Sequence, residues 1–589
     1  MPSLMILVMV AAYMAMLFAV AWRGEQKTGA RNRLGPWAYP LSLSIYCTSW
    51  TYYGAVGTAA RNGWEYLPIY IGPVIGLVVL FPIWRRIAAA ARRENVGSIA
   101  DFISSRYGKS QGLGALVACV AIVGSIPYIA LQLKSLSMAW ELLTRGTAVE
   151  GSEGPTVAVM AAVLAGFAIL FGARRPDLTE HNRGLIRAIA LESVVKLAAL
   201  VAVAVFAVVL LLGAPPDRVA ESLGQLAAPP DVDARFLSIT LLATLAVFCL
   251  PRQFHVAFVE ASEPDHVRRA RSVFPLYLLI TSLAVLPLVA AGGLFAGAAD
   301  PDLFVLNLPF QNGSGLLTAV VFVGGFSAAT AMVIVEAVAL SAMASNSLIL
   351  PLAARDRWRA RADASDMAGV ILQVRRGVIA LVLFLGWLYY QAIDRSSGLA
   401  SIGLTSFAAL AQLAPALFGA VLWRDGHARG AIAGIAAGSV IWLVLMAWPQ
   451  VGGTLGWTGG QPLGLDDPLP LGVLLSLSIN TLIYVVVSRR ARPRLIDRVQ
   501  ARAFVDRISP DWRERDSAPS GASVGDLKTL VARFVGDPSA RRAFEAARPA
   551  PSTTPILDSP ARARPPRTPP TTSAVGSGSE TLPRSEEHT

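Results

Sequence analysis

Polar and aromatic residues interrupt an otherwise apolar chain at a few points, and chemistry could occur there. Between positions 46 and 53, Tyr46, Cys47, Thr48, Ser49, Trp50 and Tyr53 stand where a lipid-facing helix would carry Leu or Val. A helix that unwinds there exposes carbonyl oxygens able to bind a cation, while the aromatic rings can enclose an organic solute. The alternative is that Ser and Thr glue close-packed helices together. A second point follows Pro251, which cannot donate a backbone hydrogen bond and so loosens its helix near Arg252, Gln253 and His255. Arg252 could meet a carboxylate with a two-pronged hydrogen bond, and His255 could exchange a proton near neutral pH. Alternatively, both are solvated at a membrane mouth or paired with Glu260.

Ionisable groups inside a membrane need a partner or an aqueous cavity. Gln132 and Lys134 are site candidates in one apolar run, although Lys134 could also snorkel to an interface. Glu192 and Lys196 lie one helical turn apart in another run, a spacing suited to a structural ion pair. Cys47, Cys119 and Cys249 lack metal-ligand spacing and read as small buried residues. No nucleophile–base pair or metal cluster stands out, so the chain is not expected to be an enzyme, and no cofactor is expected.

The elements that must position these residues span a membrane. The 589 residues are 54% hydrophobic and only 15% charged, too apolar for a water-soluble fold of this length. Apolar runs of about twenty residues, each enough to cross a bilayer, predict an all-α polytopic protein of about thirteen transmembrane helices. They fall near 3–22, 36–59, 66–84, 112–143, 155–172, 184–213, 236–259, 273–297, 314–350, 377–392, 398–423, 429–448 and 468–488. Leu4 to Trp22 has no basic flank or cleavage motif and reads as a retained helix rather than a signal peptide. The net charge of +12 is not a nucleic-acid footprint, because the arginines cluster at helix ends. Connections after odd-numbered helices hold most of them, including Arg85, Arg86, Arg174, Arg268, Arg375 and Arg424. By the positive-inside rule these ends are cytoplasmic, with the N-terminus outside and the C-terminus inside a bacterial inner membrane. Connections such as 213–235 and 449–468 read as surface loops.

Composition turns polar after Arg489-Arg490-Ala491-Arg492. Residues 1–490 are the membrane domain, and residues 491–548 a short cytoplasmic module. Val524, Leu527, Leu530, Val531, Phe534 and Phe544 have helical spacing there, predicting two short amphipathic helices. This module either packs on the membrane domain or couples it to another domain. Residues 549–589 are Pro-, Ser-, Thr- and Arg-rich and are expected to be disordered. The final Arg584-Ser585-Glu586-Glu587-His588-Thr589 reads as a translated adapter fragment, which predicts an interrupted reading frame.

Three stretches carry a family likeness. They are Tyr39 to Ala55 followed by Ser98-Ile99-Ala100-Asp101-Phe102-Ile103 and Arg106-Tyr107-Gly108; Pro127 to Lys134; and Ser406 to Leu417 running into Leu422-Trp423-Arg424 and Arg429 to Gly434. Over residues 1 to 490 the chain resembles the sodium/solute symporter family. It is most similar to the branch forming the N-terminal half of sensor histidine kinases, in which a STAC module follows the membrane domain. Val524-Gly525-Asp526-Leu527 with Arg533-Phe534 resembles that module, while no phosphoacceptor helix or ATP lid is present in the sequence.

The resemblance implies a five-plus-five inverted-repeat (LeuT-like) core, helices 2–6 and 7–11, and the polar interruptions fall in the first helix of each half. It implies cation-coupled transport of a small polar organic solute, amino-acid-like because Arg252 and Lys134 could meet a carboxylate. The other reading is a solute sensor signalling through a kinase to a response regulator. Sodium-dependent members carry two hydroxyl residues in helix 9, where a gap-free match places Met332 and Val333; neither side chain can ligate a hard cation. Ser49, Ser327 and Thr330 remain as cation candidates and Glu336 as either a proton carrier or a member of a structural pair, with H+ or Na+ as the coupling ion.

Overall fold

The computed structural model describes residues 3–26, 35–146, 154–172, 183–261, 264–297, 300–353, 364–393, 398–452 and 467–506. All regular structure among them is helical. Eight helices are long and apolar enough to cross a bilayer unbroken: α1 (Ser3–Gln26), α7 (Gln111–Arg145), α9 (Arg183–Leu212), α12 (Pro264–Phe295), α14 (Gly315–Ile349), α15 (Ala364–Ala392), α18 (Ala428–Val451) and α19 (Leu469–Arg490). Three bent pairs raise the number to eleven: α4 (Pro68–Val79) with α5 (Phe81–Glu94), α10 (Ala234–Cys249) with α11 (Pro251–Val259), and α16 (Leu399–Ala411) with α17 (Ala414–Leu422). The remaining two expected segments are helical as well. One is broken into α2 (Gly35–Ser42) and α3 (Ala55–Asn62); the other, α8 (Gly154–Gly172), has only a short apolar stretch, Val157–Leu170. The chain is a multi-pass membrane protein.

The surface confirms the solvent. Val205, Val209 and Leu212 on α9 and Leu316 on α14 are exposed large aliphatics, an arrangement that lipid favours and water does not. Packing between helices relies on small residues, because lipid gives no hydrophobic drive for association. Gly430, Gly434 and Gly438 recur every four residues along α18 and face α19. A Cβ on any of them would lie within 2.1–2.6 Å of Ser488, Asn480 or Gln412.

Several expected boundaries move for identifiable reasons. The helix expected at 66–84 turns by 71° at Leu80 and continues to Glu94; Pro82, in the first turn of α5, suits a restart there. The helices expected from 273 and 377 begin at Pro264 and Ala364, since the Arg-rich stretches before each apolar run are good helix formers. Residues 213–235, expected as a surface loop, contain a short helix at Pro216–Ser222. Two short elements complete the functional frame, α6 (Ile99–Arg106), capped by Ser98, and α13 (Phe304–Gln311).

Beyond α19 the described chain adds α20 (Leu495–Ala501), whose first turn is closed by Arg494 N–H donating to Asp497. The helices expected between 523 and 547 and the tail 549–589 lie outside the described residues.

Candidate functional site

Both polar interruptions are breaks in helices, and the two breaks meet. After Ser42 the chain tightens into a 3-10 turn at Leu43–Tyr46, extends at Cys47 and resumes as a wide turn at Trp50–Gly54. In the second half, Leu250 is extended (ψ 127°) and Pro251 starts the continuing helix at 51° to α10. Gln253 Nε2 donates to Leu43 O (3.4 Å) and Tyr39 OH to Ala257 O (2.7 Å), joining the two broken segments. This is the geometry expected of paired half-repeats.

Carbonyls released at a break need new donors. Lys196 on α9 supplies them: its Nζ donates to Ser44 O at 2.8 Å and to Cys47 O at 2.7 Å, and the residue is buried. Lys196 thus binds the broken helix while staying in electrostatic contact with Glu192, one turn away on the same helix. Ser49 N–H donates to Gln132 Oε1 (3.2 Å), and Thr48 Oγ1 shares a hydrogen bond with Tyr128 OH (2.8 Å). Tyr46 OH donates to Ile69 O (3.0 Å). Trp50, Tyr128 and Phe407 form an aromatic wall, with Trp50 and Phe407 4.9 Å apart and Tyr128 stacked on Phe407 at 5.6 Å.

Arg252 is fully buried on the second break. Its Nη1 lies 3.3 Å from Glu336 Oε2, and its backbone N–H donates to the same oxygen at 3.2 Å. Ser125 donates to the other carboxylate oxygen. The guanidinium carbon sits 4.4 Å from the centre of the Tyr128 ring, a cation–π contact. Nε and Nη2, which form the side-on edge of the guanidinium, have no hydrogen-bond partner among the described residues. Ser49 Oγ, Tyr53 OH and Gln253 Oε1 are likewise buried without a partner there. A buried guanidinium with an unused two-donor edge suits a carboxylate.

The remaining expected residues fall elsewhere or are otherwise engaged. His255 faces Glu260 at 3.5 Å, whereas Arg252 pairs with Glu336. Lys134 is buried, but two residues along an α-helix is a rotation of about 200° from Gln132, so the two cannot share a face. Ser327 accepts from Tyr13 OH (2.7 Å), and Thr330 donates to Phe326 O (2.9 Å). Met332 and Val333 are fully buried. Tyr128 and Phe407 lie within two of the stretches that carry the family likeness, but they and Ser125 are not among the site residues expected from the sequence. Tyr128 lies four residues before Gln132, and that one-turn spacing was the available signal.

At one end the site is roofed. Arg61, at the end of α3, contacts Asp302 (2.5 Å) and Asp300 (3.2 Å) in the connection before α13, and Asp302 Oδ2 accepts Leu399 N–H (3.1 Å). Burial pushes the Asp302 carboxyl up from the ordinary range, with Arg61 opposing. At the other end Arg106 donates to Ala420 O and Trp423 O, closing the end of α17.

No protein-family model matches the chain. Among curated proteins it is similar to the uncharacterized symporter YodF of Bacillus subtilis (22% identical over 430 residues, 72% of this chain and 81% of the relative). It is also similar to the uncharacterized symporter YhjB of the same organism (26% over 424 residues, 68% and 78%). Among solved structures it is similar to a Na+-coupled sialic acid symporter in a substrate-bound outward-open state, with TM-score 0.59, 12% identity, 83% of this chain and 98% of that one. That likeness establishes a shared transporter fold.

Proposed function

We propose that the chain is a cation-coupled symporter that carries a small zwitterionic, amino-acid-like solute across a bacterial inner membrane. The observation that carries this reading is the free side-on edge of Arg252 between two broken helices. That edge would take the solute carboxylate, while Gln253 Oε1 and Ser49 Oγ, also unpartnered among the described residues, would accept from its ammonium. Because Glu336 already balances Arg252, a net-neutral solute adds no uncompensated charge to the membrane interior. Trp50, Tyr128 and Phe407 would cover its apolar part, and Lys134 is left outside this set. The names of the two curated relatives support symport. The arginine bias of the connections supports placing the Arg61–Asp302 end outside and the C-terminus in the cytoplasm.

The test is uptake of a radiolabelled amino-acid panel into proteoliposomes of the full chain, with sodium and proton gradients imposed separately. Uptake driven by either gradient supports symport; binding without flux contradicts it. That second outcome is what a sensing domain would give, acting through the STAC-like module on a kinase and its response regulator. One observation favours keeping this second reading: the segment after α19 is fastened to the membrane domain. Arg424 Nε lies 2.7 Å from Asp506, and Arg93 donates to Ala503 O.

A further inference from the structure

The helix that follows the last span has two unlike faces, and one of them is seated on the membrane domain. Phe504, in the wide turn Arg502–Asp506 that continues α20, is fully buried and meets Phe102 of α6 edge-on, with ring centres 5.2 Å apart. Asp497 fills the space beside Gly108, where a Cβ would stand 2.2 Å from its carboxylate oxygen, and it lies 3.7 Å from His427. Phe102 also meets Phe254, two residues past Arg252, at 5.6 Å, so packed rings join this face to the second helix break.

The opposite face is bare. Leu495 and Val499 stand one turn apart, each about 200° around the helix from a buried residue, Asp497 or Ala501. They are 75% and 55% exposed, and Ile496 beside them is 41% exposed. The span does not continue to them, because α19 ends at Arg489-Arg490 and the backbone is extended at Ala491 and Arg494 before α20 begins. Arg489, Arg490, Arg492, Arg494, Arg498 and Arg502 surround these aliphatics, and all six are exposed. None of the six has an ion-pair partner among the described residues, and the two acids of the segment are engaged elsewhere, Asp497 by Arg494 N–H and Asp506 by Arg424.

A surface that covers this face must offer apolar contact and negative charge together. The boundary of an anionic bilayer offers both, with acyl chains beneath a layer of phosphates. The chain also holds α20 there. Five residues from Arg490 to Leu495 reach at most about 18 Å, so the helix stays beside the headgroups at which α19 ends. We infer that the outer face of α20 is a binding surface for anionic phospholipid, with Leu495, Ile496 and Val499 set into the headgroup–acyl boundary and the surrounding arginines on lipid phosphates. α20 is then clamped between the bilayer and α6. The inference rests on the membrane-spanning fold and is independent of the symport reading.

The test is hydrogen–deuterium exchange of the full chain in nanodiscs of phosphatidylcholine alone and of phosphatidylcholine with about 30% phosphatidylglycerol. Backbone amides over 495–506 should exchange at least about threefold more slowly with the anionic lipid present. The triple variant Arg490→Gln, Arg492→Gln, Arg498→Gln should lose that difference. Equal exchange of the wild type in the two lipids, or a difference that survives in the triple variant, would overturn the surface. A second arm reads position. Val499→Cys in a Cys119→Ser background, labelled with bimane, should be quenched by phosphatidylglycerol brominated on its acyl chains. A label as bright as in unbrominated lipid would place Val499 in water or under another part of the chain and would overturn the assignment to lipid.

Discussion

Arg252 and Glu336 are joined 84 residues apart in sequence, with no exposed side-chain surface on either partner. Glu336 uses one oxygen on Arg252 and the other on Ser125, while Arg252 uses only Nη1 and its backbone N–H. One half of the guanidinium is thus fixed, and the half that remains free has a defined direction. The charge of Arg252 can be kept in the membrane interior without solute because Glu336 is already there.

Removing one member of this pair leaves the other charged and buried. Glu336→Leu should cost about 3–5 kcal/mol of stability, the range for breaking a buried ion pair. The double change Arg252→Met with Glu336→Leu should recover most of that loss, because neither charge then remains. Thermal unfolding in detergent reads both. A double variant no more stable than the single one would mean that the pair does not govern stability here.

The roof over the site depends on Asp302. Asp302→Asn keeps the shape and removes the charge that holds Arg61. In a Cys119→Ser background, since Cys119 is exposed, alkylation of the buried Cys47 should be several-fold faster in the Asp302→Asn variant, with the modified residue identified by mass spectrometry. An unchanged rate would show that opening at this end does not run through Asp302.

His427, in the connection between α17 and α18, has its Nδ1 accepting from Arg429 N–H (3.1 Å), which requires that nitrogen to be unprotonated. Its pKa is lowered from the ordinary 6.5, mainly by burial, with Asp497 on α20 opposing and Arg429 and Arg494 adding to the fall. A histidine with a depressed folded pKa contributes stability above its unfolded value, and that contribution is lost as the pH falls through the folded value. The advantage of the wild type in melting temperature over His427→Asn, which still offers an acceptor, should therefore be constant above about pH 6.5 and shrink below it. An advantage that grows on acidification would instead show that the Asp497 contact dominates.

The breaks were legible in the sequence because their causes are local. Pro251 removes a backbone donor, and the run from Tyr46 to Tyr53 has no aliphatic residue to face lipid. Pro82 is the same kind of local signal for the bend at Leu80. The partners across the site were not legible. Glu192 and Lys196 stand one turn apart, so a local rule pairs them, but the hydrogen bonds of Lys196 to two carbonyls freed at a break distant in sequence follow only from helix packing. The union of Arg252 with Glu336, and the placing of Tyr128 under the guanidinium, exist only once α7, α11 and α14 are packed together.

The central claim is that the free edge of Arg252 receives a carboxylate. The most direct test is competition binding to the full chain in proteoliposomes, using the radiolabelled amino acid that binds best and two sets of competitors: free amino acids and their amides. The account predicts that the acids compete and the amides do not, and that Arg252→Lys, which cannot offer a side-on pair of donors, weakens binding by at least about tenfold. Amides that compete as well as acids, with Arg252→Lys binding normally, would contradict it.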